Sequence, residues 1–176
     1  GTVQNFIKIM SKINWVYHEN YDIPLKLNHR FTSSKFSDLF YELKKTVLYK
    51  NAIITQPKKA NIIDLSISHS VDYINKIKNG LLNYKEERKL GLTWSKRLSE
   101  RSFLAVNGTL LASKLAISNG IGCHLGGGTH HSHYDYGSGF CVFNDLAYSS
   151  LKLIESKIVK KILIFDCDVH QGDGTA

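Results

Sequence analysis

The sequence predicts an α/β domain, an open parallel sheet with helices on both faces. Three observations carry that reading. Residues 121–125 and 161–165 are short apolar runs of strand length. Between them, 144–156 places Leu146, Leu151, Leu153 and Ile154 apolar on a helical stretch, which makes a β–loop–α–β crossover. Both strands are mainly apolar, as parallel strands covered on two faces are.

The elements follow in order. Residues 13–17 begin with alternation and read as a strand. Residues 22–31 carry Pro24 and read as loop. Residues 37–49 place Leu39, Phe40, Leu43, Val47 and Leu48 at helical spacing, with Ser34 or Ser37 as N-cap. A shorter helix runs over 71–82, entered from Ser68 or Ser70 and stopped near Asn79-Gly80. The strongest helical pattern covers 99–118, where Phe103, Leu104, Val106, Leu110, Leu111, Leu115 and Ile117 give a wide apolar face before Asn119-Gly120. After it come the strand 121–125, the loop from Gly126 to Cys141, the helix 144–156 and a buried strand at 161–165.

Composition narrows the class. In 176 residues, 43% are apolar and 22% charged, which suits a globular domain and excludes a disordered chain. No apolar run reaches membrane-span length and the N-terminus has no signal-peptide order, so a soluble protein is expected. Three cysteines without a Cys-x-x-Cys argue for a reducing, cytoplasmic setting. The net charge of +8 comes from lysines spread along the chain in nothing longer than pairs, which describes a solvated surface rather than a nucleic-acid footprint. The first residue is Gly, and Met10-Ser11 could be a natural start, which would leave 1–10 upstream. The chain is read as one truncated domain over 1–176.

The chemistry concentrates at two strand ends, where open α/β sheets bind ligands. His130-His131 follows the first run, and Asp166-Cys167-Asp168-Val169-His170-Gln171-Gly172-Asp173-Gly174 follows the second. Strands of one crossover point the same way, so the two clusters can share a site. Asp168 and His170, two apart in extended backbone, project to one side and suit a zinc-type ion. Asp166 shares their parity, whereas Cys167 and Val169 point away and read as packing residues. Adjacent histidines suit a base and its partner, with Asp166 and Asp173 available to fix their tautomers. Gly126-Gly127-Gly128 would let the backbone approach closely, Gly137 to Gly139 would do so at the rim, and Phe140 could offer an apolar wall. His124 reads as a strand residue with its hydrogen bond satisfied, His69 as helix entry, and His133, Tyr134 and Tyr136 as solvated loop. A phosphate loop at the three glycines is a weak reading, because no Lys-Ser/Thr follows.

Gly127-Gly128-Thr129-His130-His131, Gly137-Ser138-Gly139-Phe140-Cys141-Val142-Phe143-Asn144-Asp145 and the 166–174 motif together resemble the successive motifs of the histone deacetylase family. His-Gln-Gly at 170–172 is similar to the class IV and related bacterial branch. Tyr21 to Leu25, His29 to Phe31, Gly91 to Ser95 and Glu100 to Ser102 resemble earlier family segments, so the likeness runs from about Trp15 to Ala176.

The resemblance implies the arginase/deacetylase fold and zinc-dependent hydrolysis of an N-acyl-lysine or a small acylated amine. By motif position it implies zinc ligands Asp168 and His170 and a general base and acid His131 oriented by Asp173. It makes His130, paired with Asp166, the electrostatic partner. It gives Gly139 a carbonyl for the substrate amide, Phe140 a place on the channel wall and Arg30 a place at the channel floor. A monovalent cation near Asp166 is also implied. The family's third zinc ligand and transition-state Tyr have no counterpart in the sequence. The expectation is therefore a half-site, inactive alone, with a complementing C-terminal half chain as partner. The competing reading is a non-catalytic metal-binding or interaction remnant of a split or decayed gene.

Overall fold

A computed structural model describes residues 12–32 and 34–176. The expected natural start at Met10 lies outside the described residues. Among the described residues the sheet has three parallel strands: β1 (Ile13–Val16) in the centre, β2 (Ala52–Thr55) on one side and β3 (Gly122–His124) on the other. Trp15 stands opposite Ile54 and Cys123, which sets the register. Trp15 and Tyr17 share one face of β1. Trp15 meets Tyr49 at 6.3 Å between ring centroids, and Tyr17 stacks on Phe40 at 4.0 Å.

Among the described residues, six α-helices surround or follow the sheet. They are α1 (Lys35–Lys44), α2 (Ile62–Leu65), α3 (Val71–Asn79), α4 (Tyr84–Leu90), α5 (Lys96–Asn119) and α6 (Asp145–Glu155). α5 packs along both β1 and β3 and against α6. Its approach to β3 is close: a Cβ on Gly122 would run into the Ala112 carbonyl. The main core lies between α3, α5, α6 and the 140–143 loop. Leu65, Tyr73, Ile74, Ile77, Leu98, Phe103, Val106, Phe143 and Tyr148 close it. Each such large side chain stabilises the fold by about 1.5–3 kcal/mol through burial.

Sequence chemistry explains the helix ends. Ser70 accepts from the Tyr73 N–H at the start of α3, and Gly80 ends it in the left-handed region. Asn83 and Glu86 form a reciprocal capping box on α4. Ser95 caps α5, which starts three residues earlier than the apolar pattern suggests. Asn144 caps α6 by accepting from the Ala147 N–H.

Two expectations are corrected. The helix expected over 37–49 stops at Lys44 and is followed by a 3-10 turn, Val47–Asn51. Thr46 and Val47 are both β-branched, and the Thr46 hydroxyl donates to the Leu43 carbonyl, a local bond that competes with helix continuation. Val47 is accordingly exposed.

The buried strand expected at 161–165 is neither paired nor buried. Among the described residues no strand lies against it, and Leu163 and Phe165 are 89% and 83% exposed. An apolar run becomes a strand only where a neighbour completes its ladder, and the sequence pattern reports the apolar faces without the neighbour. Ile162 and Ile164 border a cavity of about 500 Å³ formed with Ser113 and Ile117 of α5 and Leu146 and Leu153 of α6.

Candidate active site

The loop after β3 and the segment after 161–165 meet, although 161–165 is not a strand. Main-chain bonds fix the meeting: the Gly174 N–H donates to the His130 carbonyl at 3.0 Å. Asn144 Nδ2 donates to the Ser132 carbonyl and to the Thr175 hydroxyl at 3.2 and 3.0 Å. The glycine loop is held by Asp145, which is fully buried at the start of α6. Its carboxylate accepts from the Gly128 N–H (2.9 Å), the Thr129 N–H (2.7 Å) and the Thr129 hydroxyl (2.7 Å). Those amides are thereby occupied, which disposes of the phosphate-loop reading.

Two imidazole–carboxylate pairs stand side by side. His130 Nδ1 donates to Asp166 Oδ2 at 2.6 Å, and His131 Nδ1 donates to Asp173 Oδ1 at 2.8 Å. A carboxylate only accepts, so both imidazoles carry their proton on Nδ1 and leave Nε2 for other work. The rings are 4.2 Å apart between centroids. The two donations to Asp173 from His131 and His133 hold its carboxyl down at about 2. The Asp168 N–H, and after it His130, lowers the Asp166 carboxyl below its ordinary range.

Asp168 and His170 both line the same cavity as His130 and His131, so the parity argument for their side chains agrees with the geometry. His170 Nδ1 lies 2.9 Å from Asp168 Oδ1, and the His170 N–H donates to the same oxygen at 2.7 Å. These bonds, the backbone one first, lower the Asp168 carboxyl. Cys167 and Val169 do point elsewhere, but into solvent: Cys167 is exposed and Val169 is 92% exposed, so neither is a packing residue. Without a covering layer, the outward parity leads to water.

The cavity measures about 400 Å³ and has Gly139 and Phe140 on its wall. Gly139 (φ 53°) and Phe140 (φ 66°) both adopt left-handed backbone. At Gly139 a Cβ would stand 2.5 Å from His131 Cδ2, so only glycine leaves room for the imidazole. Phe140 packs on Gly91 and lies 5.5 Å from Phe31, ring to ring.

Arg30, expected at the channel floor, is exposed and does not line the cavity. Arg101 and Lys35 take positions there instead. Arg101 is buried; its Nε donates to the Tyr21 carbonyl at 3.0 Å and its guanidinium lies 4.5 Å over Phe36. Burial pushes both cations down from their ordinary values. The sequence offered one clue, an arginine three and four residues before the apolar Leu104 and Ala105 in the long helical pattern, on the same face as they are.

His124, expected to be a satisfied strand residue, uses both ring nitrogens, toward the Tyr21 hydroxyl (2.6 Å) and the Thr109 hydroxyl (2.7 Å). His133 departs from its expectation as solvated loop: its Nε2 donates to Asp173 Oδ2 at 3.0 Å. Tyr136 stacks on His133 and only Tyr134 of the three is largely exposed. The signal was its position, two residues beyond His131.

The donor chemistry of Asp168 and His170 suits zinc, and their two nearest atoms are close enough to share one ion in place of a proton. Catalytic zinc sites use three protein ligands, and among the described residues no group of three or more His, Cys, Asp or Glu side chains is arranged to hold a metal. The pair therefore fits zinc in kind and is one ligand short in number. No helix among the described residues is long and apolar enough to cross a membrane.

Known proteins resemble this chain in sequence and in fold. The family model described as histone deacetylase domain matches residues 29–176. The chain belongs to the histone deacetylase family. It is 40% identical over 161 residues to an uncharacterized protein of Picosynechococcus sp., covering 92% of this chain and 54% of that protein. It is 36% identical over 132 residues to the acetoin utilization protein AcuC of Staphylococcus aureus, covering 69% of this chain and 34% of AcuC. Histone deacetylase 2 of Arabidopsis thaliana is 29% identical over 182 residues, 94% of this chain and 45% of that protein. The crystal structure of the HDA15 HD domain superposes with a TM-score of 0.77 at 18% identity, covering 94% of this chain and 49% of that one, which establishes the arginase/deacetylase-like α/β fold. The chain spans about half the length of the curated relatives it matches.

Proposed function

We infer that this chain carries the proton-transfer half of a deacetylase-type amidohydrolase centre acting on N-acyl-lysine or a small acylated amine. The observation behind it is the pair of imidazole–carboxylate dyads beside Asp168 and His170 on one cavity wall. With Nδ1 engaged by Asp173, His131 has its Nε2 lone pair free to take a proton from water and return it to the leaving amine. His130, tied to Asp166 through Nδ1, stabilises negative charge developing beside it in its doubly protonated form, when Nε2 also carries an N–H. The Gly139 carbonyl accepts the substrate amide N–H, and Phe140 and Phe31 flank the acyl-lysine methylenes. Asp168 and His170 would hold zinc, which when bound supplies a Lewis acid for the amide carbonyl. A monovalent cation at the main-chain oxygens near Asp166 belongs to the same reading.

The third metal ligand and a transition-state hydroxyl come, in this reading, from a complementing C-terminal half. The chain alone is then inactive and binds zinc weakly. The competing reading, a metal-binding or interaction remnant, differs in having no such complement. The test is acetate release from an acetyl-lysine peptide with added zinc, by the chain alone and together with a polypeptide supplying the second half of the family fold. Release only in the complemented sample is expected. No release from either sample supports the remnant, and release by the chain alone overturns the half-site reading.

A further inference from the structure

Asp173 is shared by two imidazoles. Its Oδ1 accepts from His131 and its Oδ2 from His133, at 2.8 and 3.0 Å. We propose that His133 is a positioning residue, the second arm that locks the Asp173 carboxylate in the plane from which it orients His131. As a statement about catalysis this rests on His131 being the base; as a statement about Asp173 it stands on the geometry alone.

The physical need is plain. The Asp173 side chain is 46% exposed. A carboxylate held by one hydrogen bond at such a site turns about its Cβ–Cγ bond while water competes for the free oxygen. Each turn breaks the donation from His131 Nδ1 and releases that imidazole to its other tautomer, which carries the proton on the nitrogen that must accept one. A second donor on Oδ2 removes this freedom.

His133 is itself anchored well enough to serve. Its ring stacks on Tyr136 at 4.5 Å between centroids and 21° between planes. Lys89 of α4 places Nζ 3.2 Å from the Tyr136 ring centroid. The His133 N–H donates to the Tyr136 carbonyl at 2.9 Å, and the Tyr134 carbonyl accepts from Ser70 N–H at the start of α3 at 2.8 Å. Two helices outside the motif therefore hold the arm. With Asp173 accepting on both oxygens, His133 carries its proton on Nε2.

Two substitutions separate the donor from the ring. His133→Phe keeps an aromatic stack on Tyr136 and loses the donor. His133→Gln loses the ring and keeps an N–H near the position of Nε2. The primary readout is nitrogen-15-edited NMR of His131 in the 176-residue chain, with circular dichroism to confirm that each variant folds. In the wild type the His131 Nδ1 proton is expected to be visible and slow to exchange. In His133→Phe its exchange should be about ten- to a hundredfold faster, the worth of one hydrogen bond to a charged group. His133→Gln should return it to near the wild-type rate. Wild-type behaviour of His133→Phe overturns the proposal. So does His133→Gln behaving like His133→Phe, since an N–H returned to the position of Nε2 would then fail to restore the lock.

Where the protein deacylates, kcat should fall in His133→Phe with KM unchanged and recover in His133→Gln. Absence of hydrolysis even in the complemented protein, with the His131 signal still responding as described, would count against the functional reading and for the shared carboxylate.

Discussion

Asp173 and His131 illustrate how much a single bond decides at the scale of the residue. The carboxylate selects the imidazole tautomer, and the tautomer decides whether Nε2 can accept a proton. In a form of the protein that turns over acetyl-lysine peptide, His131→Ala should slow kcat by about two to four orders of magnitude, the usual worth of general acid–base catalysis. Turnover near wild type would remove His131 from that role. Zinc content measured by atomic absorption on the complemented protein should fall to background in Asp168→Ala and in His170→Ala, and stay stoichiometric in Cys167→Ser. Metal lost only from the Cys167 variant would mean that the side-chain parity at 166–170 had misled. That parity was legible from the sequence because alternation is local. The parts of the cavity that were not legible, Arg101 and Lys35, arrive from α5 and α1, and nothing in the sequence near the motifs points to them. His133 was legible in spacing only, since its carboxylate partner lies forty residues on.

At the scale of the element, His124 joins β3 to α5 through Thr109 and to the 3-10 turn Glu19–Tyr21 through Tyr21. Burial pushes its imidazole down to about 4 from 6.5, and burial does the same to His69, whose Nε2 accepts from the Asn144 N–H. In the unfolded chain both bind a proton as pH drops through 6.5, whereas in the folded chain they resist until about 4. The unfolded state thus holds more protons in that window. Stability is full above 6.5 and declines as pH falls to about 4. Asp173, held at about 2 against 3.8 when free, adds its own loss only below that window. Melting temperature should therefore fall steadily between about pH 6.5 and 4, with a shallower slope in His124→Gln; a flat profile across the window would contradict both burials. Among the elements, the sequence marked β1, β3, α3, α5 and α6 to within a few residues, because caps and apolar faces are written locally. It passed over α4, whose Asn83–Glu86 box was there to be read, and β2, a largely β-branched run of four residues that is too short to show a period. It overstated 161–165, because pairing is a property of a neighbour.

For the whole molecule, the decisive fact is the apolar surface that the 161–169 segment presents. Leu163, Phe165 and Val169 all stand in water. Covering one such large side chain is worth about 1.5–3 kcal/mol, and an unpaired apolar run is a template for association. In sedimentation the chain should associate with rising concentration, and Leu163→Lys with Phe165→Lys should shift it toward monomer. A wild-type chain that stays monomeric over the same range would show that this surface is harmless.

The two halves of the site are made at different times. His131 and Asp173 are 42 residues apart, and His130 and Asp166 are 36 apart, with the whole of α6 between them. At a synthesis rate of about 5–20 residues per second, each histidine waits roughly two to eight seconds on the ribosome before its carboxylate exists. During that interval nothing fixes its tautomer, so a nascent chain holding the complete histidine motif has no oriented imidazole. Loop closure, and not the appearance of the histidines, therefore sets the moment at which the imidazole tautomers are fixed.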